Sequence, residues 1–246
     1  MLSRLQLRAD QIVERISRHG NRPPPPSLAW MIGYAVFGFT VLSVSGFVPW
    51  AVFGRALHQS VGEAGMYAVC AAVFIGLSGP LLHRLLLGPG ALGRFTLLFA
   101  LAFVPYSIAW IAAWMLLGGH TGSLVGLLAG TSLMGLVLAR AFGARAELGR
   151  VILALFALNA AGYFIGGWVE GWLMHLENPV LLGYTPPRKI QRIGAMLSWG
   201  VCYGLGFGAG LGVAFHLCQR RVRELLSGSP PPAPPASSAQ GPDSRA

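Results

Sequence analysis

Hydrophobic residues in this chain fall into six long runs, at 28–53, 66–87, 95–117, 121–141, 150–176 and 194–218, with most polar residues between them. A hydrocarbon core is crossed by about 20 residues rising 1.5 Å each, so every run is long enough to span. The runs lack the ~10-residue alternating segments of a membrane β-barrel. In lipid, each backbone N–H and C=O must be paired inside the protein, and a helix does this by itself. The pattern predicts an all-α, polytopic bundle of six transmembrane helices.

The polar stretches add detail. Leu2, Leu5, Ala9, Ile12, Val13 and Ile16 recur at steps of three and four, with Arg4, Arg8, Arg15 and Arg18 on the remaining faces. This predicts an amphipathic helix lying in the headgroup plane. Asn21-Arg22 and Pro23–Pro26 follow as a stiff spacer. The chain therefore divides into a basic helix and spacer (1–27), a transmembrane domain (28–218) and a tail (219–246). The tail is first basic, then Pro/Ser-rich, and is expected to be disordered. The first run is too long for a cleaved signal and is expected to remain as an anchor.

Charged residues make up 11% of the chain and the formal net charge is +10, against about 25% charged in an ordinary soluble domain. A strongly basic chain raises nucleic acid as a partner, but the distribution offers a better account. With six spans, fourteen Lys and Arg fall on the side of both termini, and four (Arg55, Arg188, Lys189 and Arg192) on the other. The positive-inside rule then puts both termini in the cytoplasm, with the bilayer rather than nucleic acid as the partner. Seventeen Arg to one Lys suggests a GC-rich bacterial background, hence a bacterial inner membrane. Cys70, Cys202 and Cys218 lie within spans or at their ends and form no C-x-x-C pair, which argues against a disulfide framework or thiolate metal site.

Inside the spans, small residues give the strongest local signal. Gly200, Gly204, Gly208 and Gly212 recur every fourth residue of the sixth run, with Gly206 and Gly210 on an offset row. Gly122, Gly126 and Gly130 form a counterpart in the fourth run. Such spacing lets helix backbones approach closely, within the bundle or against a second copy or a membrane-protein partner. It predicts that the fourth and sixth spans pack closely and move.

Glu170 is the one acid well inside a span, three turns beyond Asn159. Buried ionisable groups in membranes usually face a bundle interior or a watery cavity, so the two residues are candidates for a solute or proton pathway. His58, His120, His175 and Glu177 fall near one set of span ends and are weak candidates for an outer-rim ion site, without a recognised ligand spacing. Gly76-Leu77-Ser78-Gly79 resembles the G-x-S-G pattern of rhomboid intramembrane proteases over four residues. Here Ser78 is in the second span and His216 at the cytoplasmic end of the sixth, an arrangement that keeps nucleophile and base apart.

No catalytic motif, cofactor motif or nucleotide-binding loop accompanies these features. The expected function is transport-type: a small permease, or the membrane subunit of a larger transporter. The alternative is a non-catalytic assembly subunit that binds membrane proteins or lipids, with a membrane-embedded metal-dependent enzyme third.

Overall fold

The computed structural model describes residues 5–19, 24–177 and 185–228, and all regular structure among them is helical. Part of the proline spacer (residues 20–23), the middle of the long loop (178–184) and the tail from 229 onward lie outside the described residues. The helices are α1 (Ala9–Arg18), α2 (Leu28–Leu82), α3 (Ala91–Leu117), α4 (Gly119–Phe142), α5 (Leu148–His175), α6 (Arg188–Cys218) and α7 (Arg220–Leu226). From α2 to α6, five helices are long and apolar enough to cross a membrane.

The 55-residue α2 is two rods in one. Gly62 leaves helical geometry, with φ of +73° and ψ of 178°, where an L side chain would be strained. The limbs on either side fold back on each other. A Cβ built on Gly38 would stand 2.7 Å from the Leu81 carbonyl oxygen, and one on Gly54 3.7 Å from Met66 Sδ. Helix continues to Val61 through the polar stretch that separates the first two hydrophobic runs, because i→i+4 pairing can persist there until the single glycine breaks it.

Other boundaries follow similar local chemistry. Ser27 caps α2 by accepting a 3.2 Å bond from the Trp30 amide. Gly118, at φ of +63°, ends α3 and opens α4, while Gly143, at φ of +71°, closes α4. At the end of α5, Gln191 Nε2 donates to the Leu173 and Leu176 carbonyls at 2.8 and 2.9 Å, so the first turn of α6 satisfies the last turn of α5.

The bundle has two ends. The proximal end holds α1, α7 and the turn at residues 83–90; the distal end holds Gly62, Gly118 and His175. α6 is central and makes its most extensive interfaces with α5 and α2, while α4 packs mainly on α3 and touches α6 little. The core between them is phenyl-rich: Phe39, Phe99 and Phe207 are fully buried or nearly so, and the Phe39 and Phe207 rings lie 4.7 Å apart.

α1 is amphipathic, and its apolar face is covered by protein. Leu5, Leu7, Ile12 and Ile16 are buried, and α1 packs on α7 and over Gly88. An apolar stripe is served equally well by lipid or by protein, and here the 83–90 turn and Val222 present a matching apolar surface.

Candidate functional site

Each glycine row meets a particular neighbour. Cβ atoms added to Gly204, Gly208 and Gly212 would stand 2.6–2.8 Å from atoms of Thr40, Ala35, Val36, Ile32 and Met31, all on the first limb of α2, and Gly200 lies against the Phe47 ring. The offset row faces the other way: Gly206 abuts Leu158 and Gly162 of α5, and Gly210 abuts Ala154 and Leu155. Gly122, Gly126 and Gly130 lie against Ala113, Trp114, Trp110 and Tyr106 of α3. The fourth-span row therefore packs on α3, and the expected close pairing of the fourth and sixth spans does not form. Spacing reveals that a helix can be approached, but not by which neighbour.

α6, held between α2 and α5, directs Trp199 and Tyr203 toward α3 and α5. On α5, Asn159, Tyr163, Gly166 and Glu170 follow one another at steps of four, three and four, which places them on one face. On α3 the matching residues are Phe103, Tyr106 and Trp110. Together these side chains build a column along the bundle axis.

Its deepest polar layer is Asn159, Tyr106 and Tyr203. Asn159 is fully buried and its Nδ2 donates to Tyr106 Oη at 2.9 Å, while Tyr106 Oη lies 2.9 Å from Tyr203 Oη. Asn159 Oδ1 is buried and has no partner among the described residues. One turn distal, Tyr163 Oη meets Ser123 Oγ at 3.1 Å, and Ser123 also donates to the Gly119 carbonyl at 3.0 Å. Tyr163 packs edge-on to Trp110 and Trp199, with ring centroids 6.0 and 5.1 Å away. The indole Nε1 atoms of both tryptophans are buried and unpaired among the described residues.

At the distal end of the column, Glu170 is half-buried and within electrostatic reach of Tyr163 and of Arg192 on α6. Below the column, Phe103 stacks on Tyr106 at 5.5 Å and Phe207 lies 5.2 Å from it, closing the proximal side with phenyl rings. The arrangement can bind: it offers neutral donors, one acceptor and aromatic faces. It places no nucleophile beside a base.

No family model, curated protein or solved structure matches this chain. Its chemistry has to be read from its own geometry.

Glu170 and Asn159 share a face of α5, eleven residues and about 16 Å apart along the helix. His58, His120, His175 and Glu177 are exposed. His175 Nδ1 is 2.6 Å from the Gly171 carbonyl, and His120 lies near the Phe164 ring. Among the described residues, no three His, Cys, Asp or Glu side chains gather as metal ligands would. Ser78 is fully buried and donates to its own helix at the Ile75 carbonyl, 2.8 Å away.

Two clefts of about 330 and 650 Å³ lie at the proximal end, against Pro24–Pro26, and no column residue lines either. Sequence reasoning missed Tyr106, Tyr163, Tyr203 and Ser123. The available signal was the presence of phenols in mid-span, since a buried tyrosine hydroxyl seeks a partner.

The proximal end is held by a different set of polar contacts. Gln219 is fully buried; its Nε2 donates to the Leu85 carbonyl at 2.7 Å and its Oε1 accepts from the Leu87 amide at 2.9 Å. Glu147 pairs with Arg150 and Arg220, each at 3.2 Å, and so ties the start of α5 to α7. The Glu224 carboxyl is held below its usual range chiefly by its bond from Arg220, which with the bond from Arg221 and the charges of both guanidinium groups outweighs the opposing effect of desolvation.

Proposed function

We propose that this chain is a six-span integral membrane protein of the bacterial inner membrane, with both termini cytoplasmic, and that it acts in transport. It would be a small permease or the membrane subunit of a larger transporter. In this reading the two limbs of α2 are separate spans, the proximal end is cytoplasmic, and the distal end of the column faces outward. The observation that carries the reading is the column on α3, α5 and α6. It runs from Glu170 and Arg192 inward to Asn159, whose Oδ1 has no partner among the described residues, and stops at phenyl rings. Polar groups at such depth are costly, and a column closed on one side is what an outward-facing solute site would show. Passage would require the Phe103 and Phe207 layer to part.

The test is thermal stability of the purified protein against ions, pH values and small solutes, beside Glu170→Gln. A ligand that binds the folded state raises apparent stability by RT ln(1 + [L]/Kd). A solute-dependent rise that is lost in Glu170→Gln supports transport. A flat panel with both proteins equally stable removes the argument.

A second reading, a non-catalytic assembly subunit, draws on a separate observation. Below the column, Gly204, Gly208 and Gly212 set α6 against the α2 backbone, leaving little room for a hydrophilic route. Co-purification with a defined membrane partner, unaffected by Glu170→Gln, would favour it.

A further inference from the structure

The three side chains of the deepest polar layer cannot satisfy one another. Asn159 Nδ2 already donates to Tyr106 Oη. The bond between Tyr106 and Tyr203 uses one phenolic proton, whichever ring supplies it. One phenolic O–H therefore remains, and no other described residue accepts from either hydroxyl. Asn159 Oδ1 remains as well, buried and without a donor, and so does the second Nδ2–H, which no other described residue accepts. Turning the amide over does not close the account. Oδ1 would then accept from Tyr106 and Tyr106 from Tyr203, but both amide N–H bonds would be left without acceptors. Every arrangement leaves buried polar groups unmet, and an unmet polar group in a dry interior is costly. The layer is bounded proximally by Phe103, Phe207 and Leu155, none of which offers a polar side-chain atom.

We infer that Asn159, Tyr106 and Tyr203 hold a hydroxyl guest, a group that donates to Asn159 Oδ1 and accepts from the spare phenol. An ordered water has this chemistry, and so does the hydroxyl of a neutral solute entering from the distal end. With Asn159 Nδ2 toward Tyr106, as in the structure, an ammonium group has no lone pair for the phenol and a carboxylate has no proton for Asn159 Oδ1. The unpaired Nε1 atoms of Trp110 and Trp199, one turn distal, would meet further acceptor oxygens on a larger guest and have no role for a lone water. The inference holds whether or not the protein transports anything, because it rests on the hydrogen-bond count alone.

The test is a structure of the full chain in lipid nanodiscs at a resolution that shows ordered water, for the native protein and Asn159→Leu. The expected result is guest density within hydrogen-bond distance of Asn159 and of one phenol, absent in a folded Asn159→Leu. A compact feature that survives exchange into solute-free buffer identifies water. Density extending past Tyr163 and lost on exchange identifies a solute hydroxyl. A native map with no density there overturns the inference, as does density that persists unchanged in Asn159→Leu. Failure of the transport reading would appear separately, as a flat solute panel with the bridging feature still in place.

Discussion

The two ends of the bundle treat buried polar groups in opposite ways. At the proximal end, Gln219 is fully buried, yet its side chain meets Leu85, Leu87 and Phe215 backbone groups with both its oxygen and its nitrogen. In the distal half, Asn159 is just as buried and carries an oxygen that meets nothing among the described residues. Two carboxamides of similar chemistry are thus differently satisfied: one is bonded through both its oxygen and its nitrogen, the other through its nitrogen alone. The spare groups at the proximal end are mostly cationic, one guanidinium nitrogen each on Arg15, Arg94 and Arg223, and spare charge of that sign suits anionic headgroups. Those in the column are neutral and deep, which suits a neutral guest.

The largest expected effect tests the frame that both ends share. Gly206→Leu would drive a side chain into Leu158 and Gly162, whose Cα would be 2.8 Å from the new Cβ. Overpacking costs about 1–3 kcal/mol where side chains can shift, and backbone shifts less easily, so loss of the monodisperse peak in size-exclusion chromatography is expected. Gly171→Ala, with open space around it, should elute as the native protein does.

Next comes the direct comparison of carboxamides. Gln219→Leu strands the Leu85 carbonyl and Leu87 amide, and at about 1–3 kcal/mol for each orphaned group it should lower the thermal midpoint clearly. Asn159→Leu removes an already unpaired oxygen and one bond, worth about 1 kcal/mol, and should move the midpoint less. Equal shifts would break the contrast drawn between the two ends. The smallest effect concerns α7. Because the Glu224 carboxyl is held below its usual range, its contribution is present above the ordinary carboxylate pKa and lost as pH falls through the lowered one. Amide exchange in α7 should accelerate across that acidic window, and Glu224→Gln should abolish the pH dependence while leaving the α5–α6 core unaffected.

Much of the architecture was legible in the sequence because lipid makes helix obligatory wherever apolar runs are long. The runs at 95–117 and 121–141 correspond closely to α3 and α4. The gap between the first two runs was less legible, since polar residues there gave no sign that helix would continue to Val61 and turn at Gly62 alone. α1 illustrates a general limit: amphipathic spacing shows that one face will be covered, but not whether lipid or protein covers it. The column was half visible. Asn159 and Glu170 stand out as polar residues in apolar runs, whereas Tyr106 and Tyr203 are ordinary span residues until three helices bring their hydroxyls together.

The Gln219 clamp has a consequence for synthesis. It joins α6 to backbone groups 132 and 134 residues earlier in the chain. Leu85 and Leu87 emerge from the ribosome long before their partner, and the turn they occupy cannot gain these bonds until the last long helix is in place. A chain cut short of Gln219 would insert most of its apolar helices and still leave this turn open, with its amide and carbonyl exposed to water or to a protease. The clamp therefore distinguishes a finished molecule from an unfinished one, and the last long helix to be made is the one that locks the turn between α2 and α3.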